Sequence, residues 1–111
     1  MNVGELARKL ALETVVEGDP AREVTGGYCG DLLSWVMGRA PADSVWVTVM
    51  GNVNAIAVAV LADVACILLA EDSPLDDAAR EKAVQQQVAV LRSPLPAYAL
   101  AVAISKELEG R

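Results

Sequence analysis

The chain has 111 residues, long enough for a single domain (1–111) whose core needs neither metal nor disulfide staples. Fifteen acidic residues against nine basic ones give a net charge of -6, which opposes a phosphate backbone or an anionic membrane surface, so neither nucleic acid nor membrane is expected as a partner. Hydrophobic residues make up 54%, yet with two Trp, two Tyr and no Phe the core must be built from Ala, Val, Leu and Ile; the two isolated cysteines, without any histidine, form no disulfide pattern and no zinc ligand set.

Asn2 followed three residues later by Glu5 reads as a capping box, and Val3, Leu6, Ala7 and Leu10 share one face of a helix running to about Ala11. The opening residues lack the basic start and apolar stretch of a signal peptide, so a cytoplasmic protein is expected. A strand over 13–17 turns through Gly18-Asp19-Pro20 into a second strand over 22–25. That strand is expected to end in an open backbone loop, Gly26-Gly27-Tyr28-Cys29-Gly30, before a helix capped by Asp31 with Leu32, Leu33, Val36 and Met37 facing inward. Trp35 projects off that face, to pack under a neighbouring loop or to anchor an interface.

Val45-Trp46-Val47-Thr48-Val49-Met50 is the clearest strand, and the helix after it, over 53–61, has almost no polar side. Ala55, Ala59 and Ala62 form a small-residue stripe on it that invites another backbone, which predicts a homodimer interface there. The apolar stretch 55–70 carries Asp63 at its middle and is too short to span a bilayer, so a buried helix followed by a buried strand over 65–69 is expected. Ser73-Pro74 and Ser93-Pro94 each read as a helix start, the first opening a solvated helix to about Gln87 and the second a final helix to about Leu108, with a short strand over 88–91 between them. This alternation predicts an α/β three-layer sandwich: a mostly parallel, mixed sheet of about five strands with helices on both faces.

In such a sheet ligands bind beyond the carboxyl ends of the strands, where helix N-termini present free N–H groups. Thr25, Gly26, Gly27, Gly51, Asn52, Asn54 and Ser93 are therefore the candidate ligand-binding residues. With Arg22 or Arg92 as counter-charge they suit a nucleotide or another small phosphorylated metabolite. Catalysis is not expected. There is no histidine, no lysine beside a glycine loop and no G-x-x-x-x-G-K-[ST] motif, and neither a metal nor a cofactor is implied.

The run Arg22-Glu23-Val24-Thr25-Gly26-Gly27-Tyr28-Cys29-Gly30-Asp31, with Val45-Trp46-Val47-Thr48 and Asn54-Ala55-Ile56-Ala57 after it, resembles a stand-alone DRTGG domain over nearly the whole chain. Thr25-Gly26-Gly27 match the naming motif, whereas Glu23-Val24 stand where the family has Asp-Arg. The resemblance implies a regulatory module that dimerises and is similar in fold to the N-terminal domain of HPr kinase. It implies no kinase activity. The expected function is thus a non-catalytic, homodimeric regulatory or ligand-binding domain, the alternative being a structural or protein-interaction module without a small ligand.

Overall fold

A computed structural model describes residues 1–110 and contains five strands and five helices in alternating groups. They are α1 (Val3–Lys9), β1 (Glu13–Val16), β2 (Gly26–Cys29), α2 (Leu33–Arg39), β3 (Ser44–Thr48), α3 (Val53–Ala62), β4 (Cys66–Leu69), α4 (Asp77–Gln86), β5 (Val90–Arg92) and α5 (Ala97–Glu109). The strands form one sheet in the order β1-β5-β4-β3-β2. β2 to β5 are mutually parallel in chain order, and β1 lies antiparallel on the far side of β5.

This order decides where the helices go. Crossovers between parallel strands are right-handed, and here every crossover steps in the same direction across the sheet, so α2, α3 and α4 must share one face. Their buried residues, Val36, Ala55, Ile56, Ala59, Ala79 and Ala83, pack with Trp46, Ile67, Leu69 and Val90. The opposite face is left to the two helices outside those crossovers: Val3 and Leu6 of α1 with Leu100 and Ile104 of α5 pack on Val45, Val47, Cys66, Leu68 and Leu91. The expected three-layer α/β sandwich with a mixed, mostly parallel sheet is the architecture found. No described helix is long and apolar enough to cross a membrane.

Local chemistry explains the element ends. The Asn2–Glu5 capping box is formed in both directions. Trp46 is fully buried, and its indole N–H donates to the Gly30 carbonyl at 2.9 Å, which ties β3 to the segment leaving β2. α3 and α4 stop at Asp63 and Gln87, each in the left-handed region with φ of 59° and 56°, closing the last turn without glycine.

Three expected boundaries move, each because a tertiary contact outweighs a local preference. The strand lies over Gly26–Cys29 and not over 22–25: Val24 is buried beside α1, and the glycines pair in parallel with Ser44 and Val45. α4 starts at Asp77, capped by Asp76, whose carboxylate accepts from the Ala79 N–H at 2.8 Å. Ser73 instead donates its hydroxyl to the Ala70 carbonyl, while Leu75 is drawn into the core. α5 starts after Pro96, because the Ser93 N–H donates to the Leu69 carbonyl and prolongs the sheet ladder.

Candidate functional site

The carboxyl-terminal rim of the sheet holds Gly51, Asn52, Asn54 and Ser93, but not the glycine run. Gly26 is in register with Ser44, the first residue of β3, so Thr25 and Gly26 sit at the opposite, amino-terminal edge and Gly27 one step in from it. The expectation of one rim shared by all seven residues is thereby corrected. The cause is the shift of β2: what read as the loop after the strand is the strand. Moreover, the parallel strands never reverse their order, so the sheet lacks the switch point at which a crevice opens beyond the strand ends.

The rim residues are occupied with holding the fold. The Asn52 side chain caps α3, accepting from the Ala55 N–H at 2.9 Å. Ser93 Oγ accepts from the Leu95 N–H at 3.1 Å, and the Gly51 carbonyl accepts from the Asp76 N–H at 2.9 Å. Gly51 is glycine because a Cβ there would overlap the Pro74 carbonyl oxygen. Asn54 is exposed on the first turn of α3. Asp31, expected as a helix cap, instead ties the segment after β2 to the end of β3: it accepts from Thr48 Oγ at 2.6 Å and from the Val49 N–H at 3.0 Å, and the cap position falls to Leu32. With Glu71 and Asp72 also at the rim, in consecutive left-handed conformations (φ 56° and 55°), the local field is acidic and disfavours phosphate.

The two candidate counter-charges are likewise engaged. The Arg22 guanidinium donates to Asp43 at 2.7 Å and to the Asp63 carboxylate at 3.0 Å, clamping the start of β3 to the end of α3. Arg92 forms a forked pair with Glu13 at 2.9 and 3.1 Å, which holds the Glu13 carboxyl below its ordinary range.

The glycine run builds a different site. Gly27 and Cys29 place their small side positions toward α5, and a groove of about 390 Å³ opens between them, Val47, Ala101, Ile104 and Ser105. It exists because α1 and α5 cover their face alone, where three helices cover the other. Its walls are mostly apolar, with Ser105 and Glu109 supplying polar atoms at the mouth. Partial burial, and secondarily the Asp31 charge, push the Cys29 thiol above its ordinary range, so it stays protonated and is a weak nucleophile. Among the described residues no group of three or more His, Cys, Asp or Glu is placed to hold a metal.

The fold does not require glycine at 26 or 27. A Cβ on Gly26 would meet nothing within 4 Å, and one on Gly27 would make only ordinary contacts, 3.7 Å to the Val45 carbonyl oxygen and 3.8 Å to Ile104; neither residue has a positive φ. The contrast is Gly18, with φ +57° and Ala89 pressed against the space of its missing side chain. Sequence reading expected an open loop over 26–30, where the structure has the strand β2 over Gly26–Cys29. The available clue was small residues at alternate positions, 27 and 29, which on a strand means one face.

Of the residues expected at an interface, Ala55 and Ala59 lie in the chain's own core, 0% and 2% exposed, and Ala62 is half-buried. The small-residue stripe lets α3 approach the sheet, not a second molecule, and the apolar side that α3 turns to solvent carries Val53, Ala57, Val60 and Leu61. Trp35 is half-exposed and stacks under the Arg39 guanidinium at 3.8 Å. Leu32 and Met37, expected inside, are exposed because the seven-residue α2 offers the core only Val36 and part of Leu33.

Fold and groove together define a class: a three-layer α/β domain with an uncrowded edge strand and an apolar groove beside it. Comparison with protein-family models finds none that matches the chain, and comparison with curated proteins finds no match either.

Proposed function

We propose that this is a non-catalytic, cytoplasmic regulatory domain of the DRTGG kind that acts as a homodimer and binds a small ligand in the groove between β2 and α5. The observation that carries this reading is the pair of glycines that the fold does not need. Glycine inside a strand weakens it, and it is retained where a ligand or another backbone comes close. The groove favours a ligand with a flat apolar body and few polar atoms, such as the base of a nucleoside or nucleotide. A phosphate group would find no unpaired arginine from the pairs at Arg22 and Arg92. The empty catalytic inventory and the protonated Cys29 thiol support binding over turnover.

Thermal denaturation with a panel of nucleosides, nucleotides and acyl or phosphoryl metabolites tests the ligand. One that binds only the folded chain stabilises it by about 2.7 kcal/mol at a hundred times its Kd. The expected result is a raised Tm that Gly27→Val, whose side chain would fill the groove, abolishes. No shift with any compound would leave the second reading, a protein-interaction module, which the place of β2 at the edge of the sheet independently favours.

A further inference from the structure

We propose that the open edge of β2 is a two-fold docking surface for a second copy of this chain, joining two five-stranded sheets through an antiparallel β2–β2 pair. This rests on the homodimer part of the proposed function and specifies its surface and register. The two edges of the sheet are treated differently. β1 is blunted by an irregularity between Thr14 and Val16 and by the Glu13–Arg92 pair, the devices that keep an edge from recruiting another strand. β2, Gly26-Gly27-Tyr28-Cys29, has no charge, no proline and no bulge, and pairs in unbroken register with β3.

The unused hydrogen-bonding groups are identifiable. The Gly30 N–H donates to the Val47 carbonyl, so by strand alternation Tyr28 also turns its amide and carbonyl to β3 while Gly27 and Cys29 turn theirs outward. Two outward residues with one between them fit a two-fold antiparallel pair centred on Tyr28. Gly27 then exchanges both hydrogen bonds with the partner's Cys29, and Tyr28 faces the partner's Tyr28 at a non-hydrogen-bonded position. Glycine opposite cysteine leaves room for that approach.

Charge and flanking surface favour a second copy as occupant. A chain of net charge -6 repels its copy over most of its surface, and β2 is a neutral place where two can meet. The right-handed β2–α2–β3 crossover, with about 100° per helical residue, turns Trp35 and Arg39 of α2 toward the free side of β2, while α5, which packs on β2 from the other face, carries Tyr98, Ser105 and Glu109 on one side of its helix. Ser105 and Glu109 do line the groove there, and Tyr98 is 81% exposed. α2 begins just after Asp31 and ends at Arg39, so reversing the strand direction sets Arg39 of one copy against the partner's Asp31. The outward side of α3 is also apolar, but it offers no strand edge to pair with.

The test uses the full chain at about 100 µM, where even a micromolar interface is filled. Sedimentation should give a dimer, and Gly27→Pro, which removes an outward N–H without touching the β3 ladder, should weaken it at least about tenfold with the circular dichroism unchanged. Tyr28→Cys in a Cys29→Ser background should form an intermolecular disulfide, since facing residues of this type lie about 4.5 Å apart at Cα. This arm decides if Gly27→Pro does not fold. Leu61→Lys, on the outward side of α3, should leave the dimer intact. A monomer would overturn both the homodimer reading and this surface; a dimer that resists Gly27→Pro, fails to cross-link or dissociates with Leu61→Lys would overturn the surface alone.

Discussion

Gly27→Ala should make the isolated chain more stable. Gly27 has no positive φ, and the added methyl would sit 3.7 Å from the Val45 carbonyl oxygen and 3.8 Å from Ile104 Cγ2, ordinary contact distances. Removing glycine's excess freedom in the unfolded chain contributes about 0.5–1 kcal/mol, and burial of part of a methyl against Ile104 adds a few tenths. For a domain of this size about 1 kcal/mol raises Tm by roughly 3–6 °C. Gly51→Ala is the counter-case: its methyl would overlap the Pro74 carbonyl oxygen, and relieving that displaces a turn held by the Asp76 N–H on the Gly51 carbonyl, at a cost of about 1–3 kcal/mol. Thermal and urea denaturation at submicromolar protein, where association contributes little, would compare both with the parent chain. A loss of more than about 1 kcal/mol for Gly27→Ala would show that the strand itself demands glycine, and the reason for assigning a ligand or partner to β2 would disappear.

Ala59→Glu places a carboxylate in the core between α3 and the sheet, where Ala59 is 2% exposed, and should cost at least about 3 kcal/mol or prevent folding; Leu61→Lys, at a position 71% exposed, should change stability by no more than about 0.5 kcal/mol. Burial pushes the Cys66 thiol from 9.0 up to about 12, so the folded chain keeps a proton that the unfolded chain releases. Its contribution is complete below about pH 9 and falls by about 1.4 kcal/mol per pH unit above it until the folded thiol ionises. Urea denaturation at pH 8 and pH 10 in a Cys29→Ser background should show this loss with Cys66 present and not with Cys66→Ala.

Much of the scaffold was legible in the sequence because it rests on patterns with a strong period. The Asn2–Glu5 box, the continuous apolar β3 and β4, and the alternation of strands with helices each announce themselves locally, and right-handed crossovers then fix the layers. β2 was displaced by four residues because a strand made of glycines has no hydrophobic period, and its position is set by Val45 and Val47 across the ladder. That single shift moved Thr25 and Gly26 to the other end of the molecule from Gly51 and Ser93. Ala55 and Ala59 were misplaced for a related reason: a small-residue stripe signals close approach without saying whether the neighbour is a second helix or the chain's own sheet. The caps at Asp76 and Pro96 escaped because Ser73 and Ser93 satisfy backbone groups in turns just before them.

Amide hydrogen exchange resolved at Gly27 and Cys29, recorded at low and high protein concentration, bears most directly on the claim that this edge is the working face. Both amides should exchange as open groups in dilute solution and become protected at least about tenfold as the chain associates, while Tyr28, bonded to β3, is slow throughout. Free exchange at Gly27 and Cys29 at every concentration, with protection growing instead along the outward side of α3, would contradict it.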